Sequence, residues 1–275
     1  MADEPHAKPD LNTVTVHAAR DAEKLNAEIS GFVSAIKRKV GVDSVARWNV
    51  PICPLVGGLS REKAEYFLQR ISDVAREVDA PLAPEKCTPN LLVVVTGAPR
   101  ELLERWRKKS PGFFNTSDGP GAIEKFMDSE LPVRAWYDAG ESCAGGLATL
   151  ELNGDNLNVG CTSGIASRLS RNSIRIVTSV IVVIDSGQIK GFKVGQIADY
   201  TAMVGLAELV EPRAALALPS VFNLFFPGDP KPPGLSDWDR WFLRALYHSD
   251  ARSVTQISRI RAEMFRDAVS ADSGK

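Results

Sequence analysis

The 275-residue chain carries 33 Lys and Arg against 34 Asp and Glu, a formal charge of −1, so it lacks the basic footprint of a nucleic-acid binder. It is 44% apolar, enough to fill one large core or two small ones. No apolar run reaches the ~18 residues that span a bilayer; the longest, Ile174 to Ile184, is broken by Arg175, Thr178 and Ser179.

Residues 1–18 are polar and without period, which predicts a flexible arm. Met1-Ala2-Asp3-Glu4-Pro5 lacks a signal-peptide pattern and reads as a mature end with an added initiator Met. A main α/β domain is expected over 19–250, with a C-terminal helix and tail over 251–275. Leu25, Ile29, Phe32, Val33, Ile36 and Val40 recur at three and four, predicting an amphipathic helix from Arg20 to Val40. Val45 to Val50 reads as a short strand, and a helix follows from Ser60 to Val78 after the Gly57-Gly58 break. Leu91 to Thr96 is a buried strand, Arg100 to Lys109 a helix, and Pro111 to Gly121 a loop. Strands are predicted at Pro132–Tyr137 and Ala148–Leu152, and a loop at Gly154–Ser173. Ile174 to Asp185 is the strongest strand signal. A turn at Asp185-Ser186-Gly187 leads to a helix from about Gly195 to Val210, and two more helices cover Ser236–Tyr247 and Val254–Val269. This order predicts an α/β (α+β) domain with a mixed, mainly parallel twisted sheet and helices gathered at its C-terminal end.

The four cysteines, Cys53, Cys87, Cys143 and Cys161, form no C-x-x-C pair, which argues against thiolate zinc or a thioredoxin-type site. Free buried thiols are one reading. The favoured one is two sequential disulfides, Cys53–Cys87 and Cys143–Cys161, because each brackets a compact stretch; such bridges persist in oxidising compartments. A periplasmic or secreted location is the expectation.

Residues 174–247 carry a family signature. A long strand feeds the helix Ala198-Asp199-Tyr200-Thr201-Ala202-Met203-Val204-Gly205-Leu206-Ala207-Glu208; Ser220-Val221-Phe222-Asn223 follows; and Leu235-Ser236-Asp237-Trp238-Asp239 opens a helix ending at Leu246-Tyr247. This order resembles the catalytic half of zincin metalloproteases, metzincins in particular, whose helix bears H-E-x-x-H-x-x-G-x-x-H and is followed by a Met-containing turn. Aligned on Gly205, the two helical histidines correspond to Ala198 and Ala202, the general base to Asp199, and the third ligand to Glu208, with Asn223 in the turn. The chain is also similar to exported proteobacterial proteins of unassigned function. That likeness rests on Arg47-Trp48, Ile52-Cys53-Pro54, Gly58-Leu59, Cys87-Thr88-Pro89-Asn90-Leu91 and Asp199-Tyr200-Thr201-Ala202-Met203.

A catalytic zinc needs three protein ligands and an open position, and two alanines supply none of them. The three histidines are His6, His17 and His248, the last at a predicted helix end where the dipole is its natural partner. No metal and no cofactor is therefore expected. Asp199 sits in a mostly apolar helix, and a buried carboxylate must be paired. An ion pair with Arg134, Arg168 or Arg171, or a bond to a loop backbone, is one reading of it; a catalytic acid or base and a ligand contact are the alternatives. Tyr200, Tyr137 and Trp136 read as core or cleft-wall aromatics, Asp185 as turn chemistry, and Glu208 with Glu211 as a solvated helix end open to a hard cation. No G-x-S-x-G elbow, P-loop or dinucleotide fingerprint is present.

Together these readings predict an exported, non-catalytic, zincin-like protein that binds a protein, peptide or envelope component. The expected contacts are Asp199, Tyr200, Glu208, Arg168, Tyr137 and Asn223. The rivals are a hydrolase using Asp199 and Glu208 and a structural subunit of an exported complex.

Overall fold

The computed structural model describes residues 11–38, 44–114, 121–143, 148–153, 156–161 and 173–273. Its central element is the strand β7 (Ser173–Asp185), in which apolar residues alternate between two buried faces. Val180, Val182 and Ile184 point into one hydrophobic cluster, and Ile181 and Val183 into another. A strand buried on both sides must carry apolar residues at successive positions, which is why its sequence signal is so strong.

One edge of β7 pairs in parallel with β1 (Arg47–Trp48) near its start and with β3 (Leu91–Thr96) along its second half; β2 (Pro54–Gly57) extends the sheet beyond β3. The other edge pairs antiparallel with β4 (Val133–Cys143), which has a bulge between Asp138 and Ala139. The sheet is thus mixed and mostly parallel. β5 (Ala148–Asn153) and β6 (Asn156–Cys161) make a separate hairpin between β4 and β7 in sequence.

Helices sort onto the two faces. The larger cluster joins the sheet to α1 (Leu11–Ile36), α2 (Arg61–Glu77), α5 (Val194–Leu206), α6 (Asp237–His248) and α7 (Gln256–Ser273). The smaller joins it to α3 (Pro99–Lys109) and α4 (Ala122–Met127), with Phe114 and Phe126 packed edge-on or tilted against Trp136. A disulfide joins Cys53 to Cys87 beside the entries of β2 and β3. Gly58, at φ 81 in the turn after β2, lies so close to the Val95 carbonyl that a Cβ there would collide with it.

Several elements depart from expectation. α1 begins at Leu11, so the residues from 11 onward are helical rather than part of an arm; once nucleated, a helix extends cheaply through residues such as Ala18 and Ala19. It stops at Ile36 because Lys37 turns into a bridge with Leu209. The stretch read as a loop after Gly154 contains β6; Asn-Gly-Asp-Asn at 153–156 is a turn signal between two strands. The short helix α4 and strand β2 fall below the length at which periodicity is readable.

Candidate functional site

The turn from β7 to α5 is tied by Asp185, whose Oδ1 accepts from the Gly187 N–H at 2.8 Å and Oδ2 from Gln188 Nε2 at 3.2 Å. This is the turn chemistry expected of it. At the start of α5 the Gln196 side chain accepts the Lys193 N–H at 2.9 Å. Every residue from Gln196 to Leu206 is then buried. Ala198 and Ala202 are wholly inaccessible, and Gly205 lets the helix close on Leu91 of β3, where a Cβ would sit 3.3 Å from the leucine methyls. Trp48 Nε1 donates to the Gly205 carbonyl at 2.8 Å. The helix is a core element on all its faces.

Asp199 is 5% exposed and fully engaged. Its partner is Arg70 of α2, not Arg134; Arg168 and Arg171 lie outside the described residues. The guanidinium grips both carboxylate oxygens, with Arg70 Nη2 at 3.0 Å from Oδ2, and the Leu235 N–H donates to Oδ2 at 2.8 Å. Gly234 permits this approach, since a Cβ there would overlap Oδ2. Tyr200 is 2% exposed and packed between Phe222 and Phe225, with ring centroids at 5.4 and 4.9 Å. Asn223 clamps the loop before its own 3-10 turn (Val221–Phe225), accepting from the Leu216 N–H at 2.7 Å and donating to the Leu216 carbonyl at 3.1 Å. That turn is joined to α6 by Asp239, wholly buried, which accepts from Ser220 Oγ at 2.6 Å and from the Val221 N–H at 2.8 Å. Ser236 and Asp239 form a reciprocal cap at the start of α6.

Glu208 and Glu211 were read together as a solvated helix end, and the structure corrects this. Glu208 is 2% exposed and held by Arg175 through two 2.8 Å contacts and by Arg38 at 3.2 Å. Its burial is possible because two guanidiniums offset the charge. Glu211, half-buried, has no ion-pair partner among the described residues and no hydrogen-bond partner there but its own backbone N–H. Burial pushes its carboxyl up to about 7, opposed only by its own backbone N–H. It acts in turn on the buried phenols of Tyr137 and Tyr200, whose ionisation burial already raises well above the ordinary tyrosine range. The Tyr137 hydroxyl donates to the Val204 carbonyl at 2.8 Å.

Tyr137, Tyr200, Glu208 and Glu211 therefore gather around the C-terminal end of α5, whereas Asp199 and Asn223 serve other junctions. Glu211 borders two cavities. One of about 870 Å³ lies between the end of α1, at Glu28 and Phe32, with Lys37 just after it, and the segment 210–218. The other, about 230 Å³, runs along β4 from Arg134 to Tyr137 and includes Arg38 and Lys125. Among the described residues no strand pairs with the outer edge of β4. The sequence signal that separates Glu211 from Glu208 is a lone carboxylate between Leu209-Val210 and the apolar run 214–218.

Among the described residues no three His, Cys, Asp or Glu side chains converge as metal ligands, and no helix is long and apolar enough to cross a membrane. The side chains of Cys143 and Cys161, and hence the second expected disulfide, lie outside the described residues. The sequence matches no protein-family model, and no curated protein and no solved structure matches it significantly.

Proposed function

We propose that this chain is an exported, non-catalytic binding protein of zincin-like plan that holds a protein or peptide segment in the cleft around Glu211. The observation that carries the reading is the contrast along one stretch of chain. The helix that would carry metal ligands in a zincin is packed into the core with its carboxylate neutralised, while Glu211 borders open space unpaired. The zincin-like plan is supported by the order of β7, α5, the 3-10 turn packed on Tyr200, and the Ser236-capped α6. Export is supported by the Cys53–Cys87 bridge. A carboxylate in this setting favours a ligand bearing a positive group, so a segment that brings a single Lys or Arg to Glu211 is the fitting occupant.

Selection from a displayed peptide library, followed by titration of the enriched peptides, tests this. Enriched sequences should contain a basic residue, and Glu211→Gln should weaken them about tenfold. Enrichment indifferent to Glu211→Gln would refute the reading. The position of the Glu211 carboxyl near neutrality favours one rival, a carboxylate-dependent hydrolase. Mass-spectrometric detection of cleaved peptides, lost in Glu211→Gln, would replace binding with catalysis.

A further inference from the structure

The carboxyl ends of β3 and β7 and the start of β4 meet at one end of the sheet, where the chain connections cross from one face to the other. Such a switch point is where open α/β sheets place ligands. A cleft of about 770 Å³ lies there, lined by Pro99, Arg100, Asp128, Glu130, Arg134, Asp185 and Gln188 among others. It shares Ser129 and Arg134 with the smaller Glu211 cavity and nothing with the larger.

Arg134 is the anomaly. It is 5% exposed, and a guanidinium keeps its proton at any physiological pH. A charge buried this far is ordinarily paired with a carboxylate. Here no carboxylate lies within ion-pair distance among the described residues. One nitrogen, Nη1, donates to the Met127 carbonyl at 3.1 Å and the Phe126 carbonyl at 3.5 Å, and Nε is buried with no partner. Anchoring the end of α4 therefore uses one corner of the group and leaves the rest of its hydrogen-bonding capacity unspent. Burial lowers its proton affinity, with only Asp185, at longer range, acting against that.

The neighbouring charges narrow what would complete it. Arg100 is already bound by Glu104 and Asp128. α3 opens onto the cleft at Pro99 and Arg100, presenting the positive end of its dipole to an anion. Asp185 and the exposed Glu130 line the same cleft and would repel a polyanion. A single negative charge accompanied by a positive one satisfies both sides. We propose that this cleft binds a small zwitterion of the α-amino-acid class, its carboxylate on Arg134 and its ammonium facing Asp185 and Glu130.

Calorimetric titration with each of the common amino acids, and with acetate, ethylamine and inorganic phosphate as partial ligands, tests the proposal. At least one amino acid should bind, with acetate and ethylamine about tenfold weaker or worse. Arg134→Gln should abolish that binding. Glu130→Gln, an exposed change that leaves the core untouched, should weaken the amino acid about tenfold while acetate binds as well or better. If Arg134→Gln does not fold, this opposite response of amino acid and acetate decides alone. No bound amino acid, amino acid no tighter than acetate, phosphate as the tightest ligand, or an unchanged response in Glu130→Gln would each overturn it. The Glu130→Gln arm is independent of the peptide cleft, which Glu130 does not line and whose probes and Glu211 variant are different.

Discussion

The stretch from Asp199 to Glu208 and the segment that begins three residues later handle the same problem, a carboxylate inside an apolar neighbourhood, in opposite ways. Asp199 and Glu208 are each 5% exposed or less and each meet arginine brought in from elsewhere in the chain: Arg70 for the first, Arg38 and Arg175 for the second. Glu211, three positions after Glu208, meets none among the described residues and bears the cost as a carboxyl that holds its proton to about pH 7. Charged residues whose desolvation is offset by the fold are parts of the scaffold. One whose desolvation is not offset, and which faces a cavity, is where a ligand has something to gain.

The sharpest way to break this comparison is Asp199→Asn. Leaving Arg70 without its counter-charge should cost about 3–5 kcal/mol and lower the melting temperature by roughly ten degrees. A melting temperature within a degree or two of wild type would end the scaffold role of Asp199. Gly234→Ala should act in the same direction by pushing into the Asp199 carboxylate, and the two substitutions should be less than additive because they damage one contact.

Replacing Cys53 and Cys87 by serine tests the other tie on this face of the sheet. A loop spanning a sequence separation of 34 is worth about 3–4 kcal/mol in the chain-entropy model. Denaturant titration of the double variant should show that loss; an unchanged midpoint would mean that the bridge constrains nothing the fold does not already hold.

Glu211→Gln should do the reverse of Asp199→Asn. The folded carboxyl titrates near 7, above its unfolded value, so its contribution to stability is fully present below about pH 4.5 and declines as pH rises through 7. Removing the charge should therefore raise stability at pH 8 by about 2 kcal/mol, allowing for partial exposure, and change little at pH 5. Melting curves across that range check the sign; destabilisation at pH 8 would mean that Glu211 is satisfied after all.

The smallest effect belongs to His248, at the end of α6, which meets Asp79 at 2.9 Å and Glu263 at 3.2 Å. Chiefly through Asp79, its pKa is raised above the ordinary histidine value. That contribution is present in full below about pH 6.5 and lost as pH rises through the folded value. The site is exposed, so His248→Gln should cost less than about 1 kcal/mol at pH 5.5 and nothing measurable at pH 9.

The long, regular elements were legible because they are buried on a period. β3 and β7 follow from apolar runs rich in β-branched residues, α2 from its apolar stripe, α6 from its Ser236 cap, and α5 from its apolar run. Even so, α5 ends at Leu206 rather than Val210, because Ala207 and Leu209 turn into bridges with Arg47 and Lys37. The Cys53–Cys87 pairing was legible from cysteine number and spacing. What the sequence hid is long-range. Arg70 lies 129 positions from Asp199, and nothing in its local sequence distinguishes it from Arg61 and Arg76 of the same helix. Arg38 and Arg175 reach Glu208 across separations of 170 and 33 for the same reason. Partners fixed by tertiary packing leave no local trace, so burial of a charge could be read and its counter-charge could not.

Cys143 stands opposite Ser173 where β4 and β7 pair. The chain therefore leaves the sheet and returns to it at a single point, and the β5–β6 hairpin belongs to that excursion. Topologically the excursion is a graft: its length and sequence can change without altering the register of any core strand. Change accumulated there would leave the scaffold standing, and exchanging it between related chains would transplant whatever specificity it carries as one unit.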